Sequence, residues 1–203
     1  EAVLDGDVAS TQKNVGAAKE QGVPAEKILN DALLKGMNEV GALFRDGEMF
    51  VPEVLVSAKA LQSGIDIIRT ELANSGMKKT GKILTVTVEG DLHDIGIKLV
   101  GMMLEGAGFE VIHMGVDKPA EERIEKIKQC EPDILAISAM LTTTMANMKT
   151  VIDVISEEGL RDKVKIMIGG APTSPSFAEK IGANYSADAS SAAIVAKKLM
   201  ETA

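Results

Sequence analysis

Residues 82–96 read KILTVTVEGDLHDIG and decide the fold of the longer part of the chain. The first seven residues are mostly apolar and β-branched, which predicts a buried strand. The following residues are polar and end at Gly96, after which apolar residues recur at helical spacing. A strand that ends in a polar, glycine-terminated turn and continues as a helix is a common place for functional side chains in α/β proteins. His93, one of only two histidines in the chain, is therefore the first candidate site residue.

The strand–helix pattern repeats along the rest of the chain. Strand-like runs lie at residues 83–88, 110–114, 134–138, 165–168 and, more weakly, 184–186, and amphipathic stretches lie at 95–107, 119–130, 143–158, 175–181 and 188–201. This alternation predicts an α/β fold of the flavodoxin-like or Rossmann-like kind, with a five-stranded parallel sheet and helices on both faces. Because ligands of such folds bind at the carboxyl ends of the strands, the loops that follow the strands form the candidate site.

The amino-terminal part of the chain has a different pattern. Residues 1–74 contain no strand-like run, and their apolar residues recur at helical spacing, as in Leu29, Leu33, Met37 and Val40. This predicts an all-α helical bundle of three or four helices. The polar stretch at 74–81 contains two glycines and reads as a linker. We therefore predict a helical domain at 1–76, a linker at 77–81 and an α/β domain at 82–203.

Composition excludes several classes of function. A net charge of −8 argues against a nucleic-acid partner, since phosphate binding needs a basic surface, and the chain has no Trp and only one Tyr with which to stack bases. No stretch approaches the ~18 consecutive apolar residues of a membrane span, and no signal peptide is visible. The lone Cys130 cannot form an internal disulfide, which fits a reducing compartment. These features predict a cytoplasmic protein with no membrane partner.

The chemistry of the first loop allows more than one interpretation. Asp91, two residues before His93, suggests an imidazole oriented by a carboxylate, which serves either general base catalysis or metal ligation. No Ser or Cys nucleophile lies in a strained strand-to-helix turn, and His113 and Cys130 lack the spacing of a zinc site. The chain has no phosphate-binding G-x-G-x-x-G after a strand. The Gly169–Gly170 pair instead suggests that a large ligand approaches the backbone closely.

Three ordered motifs then resemble a known family. Asp91-x-His93-x-x-Gly96, Ser138-x-Met140 and Gly169-Gly170 are similar to the D-x-H-x-x-G, S-x-L and G-G signature of cobalamin-binding domains, with Met140 in place of the usual leucine. Residues 44–54 resemble the helical cap of cobalamin-dependent methionine synthase. The likeness covers nearly the whole chain and is greatest to the stand-alone corrinoid proteins of anaerobic methyltransferase systems. Methionine is close to leucine in volume, so we expect this change to be tolerated.

The resemblance implies roles for individual residues. His93 would displace the lower base of cobalamin or a related corrinoid and bind cobalt, giving the base-off/His-on form. Asp91 would accept a hydrogen bond from the other imidazole nitrogen, and Thr144 would complete this relay. Apolar cap residues would cover the upper face of the corrin. The implied cofactor-binding residues are Gly90, Asp91, Leu92, His93, Asp94, Ile95, Gly96, Ser138, Met140, Leu141, Thr142, Thr144, Gly169, Gly170, Ala171, Tyr185, Asp188 and Ala189, with Phe44, Val51 and Val54 in the cap.

The resemblance also implies a function. The protein would carry a methyl group on cobalt, cycling between Co(I) and methyl-Co(III), from a substrate-specific methyltransferase to a methyl-acceptor methyltransferase. The donor would be methanol, a methylamine or a methoxylated aromatic, and the acceptor a tetrahydrofolate or a thiol coenzyme. A reductive activator would rescue oxidised Co(II), and the helical domain would swing aside at the linker. The chain would thus be a methyl-carrier subunit rather than a complete enzyme.

Three alternatives stay open at this point. The chain could be a cobalamin-based sensor or regulatory module, or a subunit of an adenosylcobalamin mutase. Neither a DNA-binding module nor a catalytic barrel is visible in the 203 residues, and we rank both below the methyl carrier. A flavodoxin-like or receiver-like binding domain without a corrinoid would require every motif match to be chance.

Overall fold

The computed structural model describes residues 1–74 and 80–201. The chain divides into two compact units, one of residues 1–79 with 106–108 and one of residues 80–105 with 109–203. Residues 77–79 of the predicted linker lie outside the described residues, so the linker at 77–81 stays a prediction.

The first unit is helical, as predicted. Its helices are α1 (Val8–Glu20), α2 (Ala25–Ile28), α3 (Lys35–Arg45) and α4 (Val51–Asn74), with a π-helical segment at Leu29–Leu34 between α2 and α3. Asp7 caps α1, because its carboxylate accepts a hydrogen bond from the Ser10 N–H at 2.9 Å. Buried apolar side chains of this unit recur at the predicted helical spacing and include Val15, Ile28, Leu33, Met37, Val40, Val54, Leu61 and Ile68.

The second unit is a parallel α/β fold. Its strands are β1 (Lys82–Thr87), β2 (Glu110–Gly115), β3 (Ile134–Ser138), β4 (Lys165–Gly169) and β5 (Asn184–Tyr185). Its helices are α5 (Ile95–Gly106), α6 (Ala120–Cys130), α7 (Thr142–Met145), α8 (Asn147–Glu157), α9 (Pro175–Ile181) and α10 (Ala189–Glu201). All strand pairs are parallel and the order is β2-β1-β3-β4-β5, which is the flavodoxin-like order. The predicted fold class is therefore confirmed.

The helix predicted at 143–158 is two helices in the structure. The chain turns at Ala146, between α7 and α8. At this turn the Asn147 side chain donates a hydrogen bond to the backbone oxygen of Glu89 at 2.8 Å. The break thus attaches the start of α8 to the loop after β1, a contact that helical periodicity alone does not encode.

The two faces of β1 differ in polarity. Leu84, Val86 and Val88 point into an apolar core formed with β3, β4 and helices α6, α8 and α9. On the other face Thr85 and Thr87 are fully buried. A buried hydroxyl needs a hydrogen-bond partner, so these threonines anchor neighbouring segments.

Thr85 contacts His113, the second histidine of the chain. The Nδ1 of His113, on β2, lies 2.8 Å from the Thr85 Oγ1. A Cβ placed on Gly101 of α5 would lie 2.2 Å from the His113 Cε1, so the glycine makes room for the imidazole ring. His113 thus contacts both its neighbouring strand and helix α5, although its side chain is exposed.

Among residues 1–74 and 80–201, no helix combines the length and the apolar character needed to cross a lipid bilayer.

Candidate functional site

Strand register brings the three sequence motifs to one edge of the sheet. Thr87 of β1 pairs with Ser138 of β3, and Ser138 pairs with Gly169 of β4. The bonding continues beyond the strands, since the Val88 N–H donates to the Ser138 oxygen at 3.0 Å. The loops that follow these three strands are therefore neighbours, although they are far apart in sequence.

Asp91 is the centre of the arrangement. Its carboxylate is completely buried and accepts four hydrogen bonds. One oxygen, Oδ1, accepts from the His93 backbone N–H at 3.0 Å and lies 2.7 Å from the His93 Nδ1. The other, Oδ2, accepts from the Met140 N–H at 2.6 Å and from the Thr144 Oγ1 at 3.1 Å. Asp91 thus joins the loop after β1 to the loop after β3.

These hydrogen bonds fix the ionisation of Asp91. Burial by itself would raise the pKa of the carboxyl, but the bonds from Met140, His93 and Thr144 outweigh it and lower the pKa to about 2. An ionised carboxylate can only accept hydrogen bonds, so the proton of the imidazole must be on Nδ1. The lone pair of the neutral ring is then on Nε2.

The two ring nitrogens of His93 differ: Nδ1 is held by Asp91, and Nε2 is free among the described residues. Its side chain is 52% exposed, while the Asp91 side chain that orients it is fully enclosed. Among the described residues no hydrogen bond involves the His93 Nε2. An imidazole whose Nδ1–H is held by a carboxylate and whose Nε2 is free has the arrangement typical of a histidine that ligates a metal.

The turn before Asp91 explains why the pair has this position. Gly90 has φ +82°, a conformation that glycine adopts at no steric cost, and its N–H donates to Asp117 Oδ1 at 2.7 Å. The Asp91 N–H donates to the Val88 oxygen at 3.2 Å, and the Thr87 hydroxyl donates to the Asp91 oxygen at 3.1 Å. The backbone on both sides of Asp91 is therefore fixed by the end of β1.

Large apolar side chains are exposed on the two loops that Asp91 joins. Leu92 and Ile95 are 70% and 71% exposed, and Met140 and Leu141 are each 43% exposed. Large apolar residues that cluster at one functional edge mark a binding surface. These exposed apolar side chains lie on the loop of His93 and Asp91 and on the loop whose Met140 N–H binds Asp91.

The glycines of the sequence motifs differ in what a side chain at each position would meet. Gly170 has φ +119°, and a Cβ there would lie 1.9 Å from the Ala139 oxygen, so the protein's own backbone requires this glycine. At Gly169 a Cβ would lie 3.1 Å from the Ser186 oxygen. A Cβ on Gly96 would meet no atom within 4 Å. Of these three, Gly96 alone leaves space that the chain does not fill.

Other predicted residues of the α/β unit lie along the same edge. Asp94 forms an ion pair with Lys98 one helical turn later. Asp188 caps α10, where its Oδ1 accepts from the Ser191 N–H at 2.7 Å, and Ala189 is the buried first residue of that helix. Thr142 and Ala171 are exposed, and Tyr185 is half-buried at the end of β5.

The three predicted cap residues belong to the helical unit. Phe44 and Val51 are half-buried, and Val54 is fully buried. Phe50, which the sequence analysis did not single out, is 67% exposed. Phe50 directly precedes α4, and helical periodicity could not distinguish this exposed apolar residue from a core residue. The covering role of the cap stays a prediction.

Comparison with known proteins places both units in one family. Residues 81–195 match the B12 binding domain, and residues 1–69 match a second domain that is also described as a B12 binding domain. The dimethylamine corrinoid protein 3 of Methanosarcina acetivorans is 43% identical over 98% of this chain and 95% of its own length.

Two solved structures have the same architecture. One is the methanol:cobalamin methyltransferase complex of Methanosarcina barkeri, which matches with a TM-score of 0.87 and 31% identity over 100% of this chain and 78% of that chain. The other is a cobalamin-binding protein of Desulfitobacterium hafniense, which matches with a TM-score of 0.81 and 30% identity over 98% of this chain and 95% of that chain. The resemblance found in the sequence motifs is confirmed: the chain belongs to the B12-binding family and is a methyl-carrying corrinoid protein.

Proposed function

We propose that the protein holds its corrinoid in the base-off form with His93 Nε2 as the axial ligand of cobalt, and that two methyltransferases use the bound cofactor in turn. The observation that carries this proposal is the Asp91–His93 pair, in which a buried carboxylate holds the Nδ1 proton and leaves Nε2 free on an exposed surface. When bound, the corrinoid supplies the cobalt that takes up and releases the methyl group.

The surrounding residues divide the binding task. The exposed side chains of Leu92, Ile95, Met140 and Leu141 would contact the apolar surface of the ring. The open space at Gly96 would admit the displaced nucleotide tail. Burying these four side chains under a ligand would contribute a few kcal/mol, on the order of 25 cal/mol per Å² of apolar surface removed from water.

The Thr144 hydroxyl has two possible acceptors next to the Asp91–His93 pair. The Thr144 hydroxyl lies 3.1 Å from Asp91 Oδ2 and 3.1 Å from the Leu141 oxygen, and its single proton can be donated to only one of them. Donation to Asp91 reduces the negative charge felt at His93 Nδ1, and donation to Leu141 restores it. Thr144 would in this way adjust how strongly the imidazole binds as a ligand.

The methyl donor is proposed to be a methylamine. Among the relatives, the dimethylamine corrinoid protein of Methanosarcina acetivorans is more similar in sequence to this chain than the methanol:cobalamin methyltransferase complex is. The partners would be a substrate-specific methyltransferase for that amine and a methyltransferase for a thiol coenzyme or a tetrahydrofolate. A reductive activator would reduce cofactor that has been oxidised to Co(II) back to Co(I).

Methylation in solution tests this function. The protein is loaded with hydroxocobalamin, reduced with titanium(III) citrate and mixed with a dimethylamine-specific or a methanol-specific methyltransferase and its substrate. We expect the absorption spectrum to show methylation with the dimethylamine enzyme, and much slower methylation for His93→Ala than for the matched variant His113→Gln. Methylation by the methanol enzyme alone would refute the donor class. No methylation by either enzyme would refute a carrier role with these donors.

A further inference from the structure

A buried arginine lies behind the loop that presents His93. Arg123, on α6, is only 2% exposed, and its Nε and Nη1 are buried without a hydrogen-bond partner. Its Nη2 lies 3.7 Å from Glu89 Oε2, which is beyond hydrogen-bond distance. Burial lowers the pKa of the guanidinium, and the nearby carboxylates of Glu89, Glu121 and Asp117 oppose that shift. The group is therefore a charge within the fold that is only partly compensated.

Such a residue is unfavourable for the stability of the fold. Leaving buried donors without partners costs roughly 1–3 kcal/mol each, and more for a charged group. Replacing an incompletely paired buried charge with an apolar side chain of similar volume is often neutral or stabilising. The volume of Arg123 fills the buried face of α6 that also carries Ile127, but the stability of the fold does not account for its charge.

The contacts around Arg123 converge on one turn. Glu89 is the residue immediately before Gly90, and its backbone oxygen is held by the Asn147 side chain. Gly90 is held on its other side by Asp117, a non-glycine residue at φ +51°. A left-handed backbone conformation at a residue other than glycine is strained, and such conformations persist where the surroundings require them. The next residue in the chain is Asp91.

We propose that Arg123 is a positioning residue for the Asp91–His93 pair and acts through the Gly90 turn. Its charge attracts the Asp117 carboxylate, which accepts the hydrogen bond from the Gly90 N–H, and the carboxylate of Glu89, the residue before Gly90. The conformation of this turn determines the position of the Asp91 carboxylate relative to the His93 imidazole. Removing the charge leaves the fold intact but loosens the turn, so that the imidazole reaches its ligand position less often. This inference rests on the proposed role of His93 as axial ligand.

The matched substitutions are Arg123→Met and Arg123→Lys. Methionine keeps the volume and removes the charge, so the unfolding free energy of the protein without cofactor should stay the same or rise. The protein is loaded with cob(II)alamin and labelled with ¹⁵N in histidine, and electron paramagnetic resonance measures the fraction of cobalt coupled to a histidine nitrogen. Partners of metal ligands contribute roughly 10–100-fold to affinity or activity. We expect about a 10-fold fall in the ratio of histidine-bound to unbound cobalt in Arg123→Met, and recovery in Arg123→Lys.

Two further variants complete the test. Glu89→Gln changes an exposed side chain, so it reports on the same contact even if Arg123→Met fails to fold, and it should move the ratio in the same direction. Lys128→Met removes another ion pair of α6, that with Glu158, and should leave the spectrum unchanged. Wild-type spectra in both Arg123→Met and Glu89→Gln would overturn the role of Arg123, as would a loss of stability in Arg123→Met without a spectral change. A wild-type protein without histidine coupling would overturn the axial-ligand assignment as well.

Discussion

Gly96 offers a substitution in which stability and cofactor binding should change in opposite directions. The residue is exposed, lies in the first turn of α5 and has helical backbone angles, and a Cβ built there meets nothing within 4 Å. Glycine in a helix is less stable than alanine by roughly 0.5–1 kcal/mol. Gly96→Ala should therefore raise the unfolding free energy of the protein without cofactor by up to about 1 kcal/mol.

The same methyl group should weaken corrinoid binding. If the tail of the cofactor occupies the space beside Gly96, an added methyl overfills the site at a cost of roughly 1–3 kcal/mol. This corresponds to an increase in Kd of roughly 5–150-fold. Stability is measured by urea unfolding of the cofactor-free protein, and affinity by anaerobic titration with cob(II)alamin.

Gly16 supplies the control. It lies within α1, and a Cβ there also meets nothing within 4 Å. Gly16→Ala should stabilise the protein to a similar extent and leave the corrinoid Kd unchanged. Unchanged affinity in Gly96→Ala, together with the expected gain in stability, would show that the space beside Gly96 does not hold the cofactor.

Three other substitutions test the site and the cap. Asp91→Asn keeps the shape but removes the charge, so cofactor affinity or activity should fall roughly 10–100-fold and the Co(II)/Co(I) midpoint should become less negative; an unchanged midpoint and spectrum would make Asp91 only a turn residue. Gly170→Ala places a Cβ 1.9 Å from the Ala139 oxygen and should cost more than about 3 kcal/mol of unfolding free energy, measured by urea denaturation; a smaller loss would refute the close approach. Phe44→Ala should speed photolysis of bound methylcobalamin if Phe44 covers the corrin, whereas a stability loss of roughly 3–5 kcal/mol with wild-type photolysis would assign Phe44 to the bundle core.

The three central strands of the sheet, β1, β3 and β4, could be predicted from the sequence because they are buried on both faces. Short, β-branched apolar runs such as Ile83–Val88 and Ile134–Ser138 are typical of buried parallel strands when they alternate with amphipathic stretches. The weakest prediction, the run at 184–186, corresponds to the shortest strand, β5 (Asn184–Tyr185), which lies at the edge of the sheet. The other edge strand, β2, has no fully buried residue and was still predicted, because its Val111 and Ile112 are β-branched.

The candidate site could be predicted only in part. Asp91 and His93 lie two residues apart on a turn, so their contact is visible locally. The hydrogen bond from the Met140 N–H to Asp91 joins residues 49 positions apart and follows from strand register, which no local pattern contains. The contact of Thr144 with Asp91 was expected from the family resemblance alone.

Two features were missed for identifiable reasons. Arg123 precedes Ile127 by four residues and so lies on the same, buried face of α6, but an arginine within a charged stretch is ordinarily taken to be exposed. Gly170 was interpreted as making room for a ligand, whereas the atom that lies close to it is the Ala139 oxygen. In both cases the deciding neighbour comes from a distant segment of the chain.

The most direct test of the account is the identity of the nitrogen that binds cobalt. The chain has only two histidines, so ¹⁵N-histidine labelling introduces signals from His93 and His113 alone. Electron paramagnetic resonance of the Co(II) form should show coupling to one ¹⁵N nucleus in the wild-type protein and in His113→Gln, and no such coupling in His93→Ala. Coupling only to the cofactor's own base, or histidine coupling that persists in His93→Ala, would contradict the assignment of His93 as the axial ligand.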